Sequence, residues 1–307
     1  MRGSSRVRAA VTPRKGLRAA IAVAATALLL APAGPVSGEP ARASVAPVDG
    51  SLCPRAQFRI VLDVGHTIEF PGATSARGVP EYEFNLSLAT RIEQALIAAG
   101  FARTVRLITD GPAIASLFQR VASANSLPAD LFLSIHHDSV PEAFLQTWEH
   151  DGNQLPYSDR FKGHSIFVSY ANAHRAGSVL FGRLLGRQLK ARGLHYTPHY
   201  TEAEMGRRRR WLVDAEAGVY RYDQLIVLRA TRMPAVLLEA GSIINRDEEP
   251  LTAAPERQAL IAAAVTSSVE QFCAARTARR IALSKRARVL RAARAGEVKP
   301  ARAEASR

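Results

Sequence analysis

Short apolar runs alternate along this chain with stretches whose apolar residues recur at helical spacing. Arg59 to Asp63 reads as a first strand, and Phe84, Leu88, Ile92, Ala95, Leu96 and Ala99 mark one face of a helix stopped by Gly100. Thr104 to Thr109 reads as a second strand, Ile114, Leu117, Phe118 and Val121 as a second helix, and Leu131 to Ile135 as a buried third strand. Ser165 to Ser169 follows as a fourth strand. Val179, Leu180, Leu184, Leu185 and Leu189 then line a helix ending at Gly193. Leu225 to Leu228 and Ala235 to Leu238 supply two further strands, and a last helix runs from near Pro255 to Cys273. Strands alternating with helices predict one α/β domain, a central mostly parallel sheet flanked by helices on both faces. From Leu194 to Gly218 the pattern lapses into a polar stretch, longer than most connections in compact domains, which reads as an insertion or lid.

At 307 residues the chain is long enough for a sizeable core, and 47% hydrophobic residues exclude a wholly disordered class. The net charge of +14 suggests a nucleic-acid binder until it is divided. Residues 1–50 carry 7 basic and 2 acidic side chains, residues 275–307 carry 11 and 2, and the body between them is balanced. No nucleic-acid partner is therefore expected for the domain. The first segment joins Arg2, Arg6, Arg8, Arg14, Lys15 and Arg18 to an apolar run from Ala19 to Ala33 and a Pro, Gly and Ser-rich stretch. That pattern reads as an export signal with its cleavage region over residues 1–43. Fifteen residues interrupted by Pro32 are too short to span a bilayer. Residues 44–58 read as a linker, 59–273 as the folded domain, and 274–307 as a basic, disordered tail expected to meet anionic surfaces such as a membrane or an envelope polymer. After export, Cys53 and Cys273 at the two ends of the folded region are expected to form a disulfide.

The chemistry gathers where open α/β sheets bind ligands, beyond the carboxyl ends of the strands. The first strand leads into Asp63-Val64-Gly65-His66, the third into Ser134-Ile135-His136-His137-Asp138, and the last into Glu239-Ala240-Gly241, while Glu81 precedes the first helix. Two neutral imidazoles and a carboxylate are a ligand set for catalytic zinc, and a fourth group is then needed as base, a role for which Glu239 is placed. Neighbouring strand residues face opposite ways, so only one of His136 and His137 is a ligand.

These motifs, with Pro71-Gly72-Ala73, Asn85-Leu86 and Leu238-Glu239-Ala240-Gly241 followed by Asn245, resemble in order and spacing the zinc-dependent N-acetylmuramoyl-L-alanine amidases of cell-wall hydrolysis. The resemblance spans residues 59–273. It implies one zinc held by His66, Glu81 and His136, catalysis by Glu239, and peptidoglycan as substrate, cut between N-acetylmuramic acid and L-alanine. Leu228-Arg229-Ala230-Thr231 before Pro234 is similar to the family's final strand pair. Val64 stands where the family usually has Pro, Thr67 replaces a Gly, and His137-Asp138 replaces a small residue and Asn.

Two other readings use the same residues: a zinc hydrolase of this fold that cuts a different amide or peptide, and a noncatalytic wall-binding protein. Arg207 to Arg210 followed by Trp211 read first as a solvated helix face, and otherwise as a holder of an anionic glycan or teichoic-type polymer or as a regulatory segment lying across the cleft. The sequence names no activator protein.

Overall fold

The computed structural model describes residues 52–297. The expected export signal, most of the linker, and residues 298–307 lie outside the described residues. Seven strands form the main sheet: β1 Ile60–Val64, β2 Val105–Leu107, β3 Leu131–Asp138, β6 Ser165–Val168, β7 Trp211–Asp214, β8 Val219–Arg221 and β9 Ala235–Ser242. Their order is β2-β1-β3-β9-β6-β8-β7, and β4 Gln146–His150 with β5 Asn153–Tyr157 forms a separate hairpin. Pairs from β2 through β9 and β6 with β8 are parallel, whereas β9 with β6 and β7 with β8 are antiparallel.

Alternation along the strands builds two cores. Ile60, Leu62, Leu131, Leu133, Ile135, Val236 and Leu238 face one side. That side is covered by α1 Glu81–Ala98, α3 Arg175–Lys190 and the start of α6 Pro255–Glu297, which follows the short α5 Glu249–Ala253. Val61, Phe132, Phe167, Ala235 and Leu237 face the other side, under α2 Ala113–Ser126 and α4 Ile226–Arg229. The parity that buries Ile135 and Leu238 in the first core turns His136 and Glu239 toward the second. Cys53 and Cys273 are joined by a disulfide with Cα atoms 5.2 Å apart, which ties the segment before β1 to α6.

Several expectations change. Residues 226–229 form the short helix α4 where Leu225 to Leu228 reads as a strand: four apolar residues in a row fit either period, and packing against α2 decides. This also removes the expected final strand pair. In α2, Ile114 and Phe118 are exposed, while the buried positions are Ser116, Arg120 and Ala124. That helix turns a polar face inward because Arg120 pairs with a buried acid. The 194–218 stretch is no free lid: it contributes the edge strand β7 and packs Tyr200 and Met205 into the second core. Its arginine run lies in 3-10 turns and the approach to β7 and is not the face of an α-helix. Helix α6 continues through residue 297, past the expected stop at Cys273 and into the stretch expected to be disordered. From Ala274 to Arg294 there is neither Gly nor Pro, and Ala, Arg, Lys and Leu are strong helix formers. The hairpin β4–β5 has a signal of its own, Asp151-Gly152, with φ of 50° and 76° at its two-residue turn. Among the described residues no helix is long and apolar enough to cross a membrane.

Candidate metal centre

Three elements deliver the centre. Past β1 the chain turns at His66, whose φ of 68° places a non-glycine residue in the left-handed region. Helix α1 opens with Glu81, held by its backbone N–H to the Ala73 carbonyl at 2.8 Å. Strand β3 carries His136, which lies in register with Glu239 on β9. Both strands run past their expected ends at Ile135 and Leu238, so both residues sit within them and not beyond them.

The side chains converge. His66 Nε2 lies 2.9 Å from Glu81 Oε2 and His136 Nδ1 lies 3.0 Å from Glu81 Oε1. One ligand atom from each of the three residues falls within 4.8 Å of the other two. Glu81 is nearly fully buried; burial alone would raise its pKa, but hydrogen bonds from His136 and His66 prevail and hold it well below the usual carboxylate range. Burial lowers the pKa of His136 and keeps the ring neutral, against the pull of Glu81. An ionised carboxylate beside a neutral imidazole is the protonation state that metal ligation requires. The residues present fit a divalent cation of the zinc type, with two nitrogen donors and one oxygen donor.

Glycine makes the close approach possible. A Cβ on Gly72 would lie 2.5 Å from Glu81 Oε2 and 2.7 Å from His66 Cδ2, and its φ is +84°. Gly72→Ala is therefore expected to destabilise the fold by roughly 2 to 4 kcal/mol, combining left-handed strain with overpacking. A shifted urea midpoint at constant m value is the measurement, and an unshifted midpoint would count against this packing.

Surrounding residues orient the three. Asn85, one turn after Glu81, donates from Nδ2 to Glu81 Oε1 at 3.1 Å and to the Gly65 carbonyl at 3.3 Å. Its Oδ1 accepts from His137 Nδ1 at 2.8 Å. His137 thus faces α1, away from the centre, and burial pushes its pKa down to about 4. Arg120 is 2% exposed and reaches both oxygens of the fully buried Asp63 at 3.3 Å. It also donates to the Val64 carbonyl at 2.7 Å and to the His66 carbonyl. Sequence reasoning missed Arg120, because Ile114, Leu117, Phe118 and Val121 mark a different face of α2 from the one that carries Ser116, Arg120 and Ala124.

Glu239 stands apart from the convergent three, beside His136. Its Oε2 is buried without a hydrogen-bond partner among the described residues. Burial first, then the nearby charges of Asp138 and Glu81, raise its carboxyl well above the usual range. Asp138 Oδ1 accepts from the Tyr200 hydroxyl at 2.7 Å, and burial pushes Asp138 up to about 7. Tyr200 is a second missed residue; it comes from the 194–218 stretch, whose polarity conceals its packing. The centre opens into a cleft of about 270 Å³ lined by His66, His136, Glu239 and Tyr200 and by apolar side chains including Phe70, Leu117 and Phe167.

The chain is 24% identical over 234 residues to the N-acetylmuramoyl-L-alanine amidase AmiC of Neisseria meningitidis, a match covering 69% of this chain and 52% of that protein, about half its length. It is 24% identical over 208 residues to an N-acetylmuramoyl-L-alanine amidase of Mycobacterium tuberculosis, covering 66% of this chain and 73% of the other. The crystal structure of the N-acetylmuramyl-L-alanine amidase of Mycobacterium smegmatis shares the fold, with a TM-score of 0.54, 21% identity, and coverage of 71% of this chain and 98% of that one. Residues 60–271, which span the sheet and every side chain of the centre, match the sequence profile of the N-acetylmuramoyl-L-alanine amidases, and this chain belongs to that family.

Proposed function

We propose that this chain is an exported, zinc-dependent amidase that hydrolyses the amide joining N-acetylmuramic acid to L-alanine in peptidoglycan, with residues 59–273 as its catalytic domain. The observation that carries the reading is the convergence of His66, Glu81 and His136 beside a fourth, unpartnered carboxylate on the neighbouring strand. Export is supported by the signal-like pattern of residues 1–43.

In this reading His66, Glu81 and His136 hold the zinc, which supplies Lewis acidity to the scissile carbonyl and acidifies water in the site. Glu239 takes a proton at its free Oε2 from the water that attacks the carbonyl carbon, and passes it to the alanine nitrogen as the C–N bond breaks, so that the amine leaves neutral. The carboxyl suits both halves of that transfer, because burial and like charges raise its proton affinity above that of a surface glutamate. Asn85 and Arg120 do no chemistry; they fix the Glu81 carboxylate and the His66 backbone before substrate arrives.

Metal analysis joined to digestion of purified sacculi tests the proposal. The expected result is one bound zinc, new L-alanine amino termini, and loss of both on chelation. A zinc-loaded protein that leaves sacculi intact but cuts short peptides would instead support a hydrolase of the same fold with another substrate.

A further inference from the structure

The arginine run that the fold places beside the cleft has a use that the hydrolytic centre does not account for. Arg207, Arg209, Arg210 and Arg221 line a surface groove with Trp211 and Tyr222, and Tyr222 also lines the cleft that holds Glu239. Trp211 is 81% exposed. The groove is anchored: Met205 is buried, the Arg210 backbone N–H donates to the Tyr200 carbonyl at 2.7 Å, and the Arg210 guanidinium lies 3.6 Å over the Tyr222 ring.

Its charge is uncompensated. Elsewhere on the surface arginines meet carboxylates, as in Arg160 with Glu202, Arg183 with Asp214 and Arg246 with Asp159. Among the described residues, Arg207 and Arg209 meet none: the Arg209 side chain donates only to the Thr201 carbonyl at 3.0 Å. Asp223, the single acid lining the groove, is engaged by Arg221 at 2.7 Å. Guanidinium forks match planar carboxylates in a bidentate way, and several of one sign around a groove concentrate anions there.

We propose that this groove is a subsite for the free carboxylates of the peptide part of the substrate whose scissile amide lies at the metal centre. The assignment rests on the amidase reading above. Continuity favours this occupant over an independent wall polymer, since Tyr222 lines both the cleft of the centre and the arginine groove.

The test uses the zinc-loaded chain and two soluble muropeptides that differ only in whether the peptide carboxylates are free or amidated. Wild type is expected to show the lower KM for the free acid, by an amount that shrinks as salt is raised. The double variant R207Q/R209Q is expected to raise KM for the acid about three- to tenfold with kcat held, and to close the gap between the two substrates, while R207K/R209K restores most of it. Equal KM changes on both substrates, or none, overturn the subsite. Unchanged KM values together with lost binding to poly(glycerol phosphate) overturn it in favour of a separate wall polymer. A zinc-loaded wild type that cleaves neither muropeptide overturns the amidase reading itself, a failure distinct from loss of discrimination between the two.

Discussion

For the zinc amidase proposed above, Glu239→Gln is expected to lower hydrolysis of the muramoyl-alanine amide by about 10²- to 10⁴-fold, the range typical of a lost general base, while zinc content stays at the wild-type level. The substitution keeps the shape of the side chain and its place beside His136 in the β3–β9 register, and removes only the capacity to take up a proton. The separation of the two readouts follows from the geometry. The ligand atoms of His66, Glu81 and His136 cluster without Glu239, and the carboxyl oxygen Oε2 of Glu239 makes no hydrogen bond that the amide would break. A variant that hydrolyses normally would show that another group moves the proton. A variant that loses zinc would show that Glu239 is itself a ligand.

Arg120→Met is expected to destabilise the domain by about 3 to 5 kcal/mol, the cost of leaving one member of a buried ion pair alone. Asp63 has no accessible surface, and its carboxylate keeps only Ser134 Oγ, at 2.6 Å, when the guanidinium is gone. The same change removes the donor to the His66 carbonyl, so zinc affinity is expected to fall with stability. Urea unfolding and a competition titration with a chelator measure the two effects. Adding Asp63→Asn to Arg120→Met is expected to recover much of the stability, because the unpaired charge is gone. A single variant within 1 kcal/mol of wild type would rule out the pair as the brace of this corner.

Much of the sheet was readable because a buried parallel strand leaves a plain mark. Leu131 to Ile135, apolar but for Ser134, and Ala235 to Leu238 are runs that belong on both faces of a sheet covered by helices. The elements that escaped lack that mark. Strands β4 and β5 are polar and half exposed, and only Asp151-Gly152 betrays them. Strand β7 lies at the sheet edge, where Trp211 faces solvent, so its pattern carries no core signature. The apolar positions of α2 misled because Ile114 and Phe118 point outward, and the inward face was claimed by an ion pair.

For the centre, the amino-acid order was sufficient to nominate His66, Glu81, His136 and Glu239, because donor-type residues at strand ends and at a helix start need few assumptions to meet on one rim. Strand parity even separates His136 from His137, since side chains alternate however the strand is packed. What only the tertiary structure decided is everything that depends on distance between remote segments: that Arg120 reaches across from α2 to Asp63 and the His66 carbonyl, and that Tyr200 is carried onto Asp138. The same holds for the placing of the unpaired arginines 207 and 209 beside Tyr222 at the edge of the cleft. Local pattern records which face of an element is apolar, but the partner that satisfies a buried charge is chosen by packing, and packing has no signature at any fixed spacing along the chain.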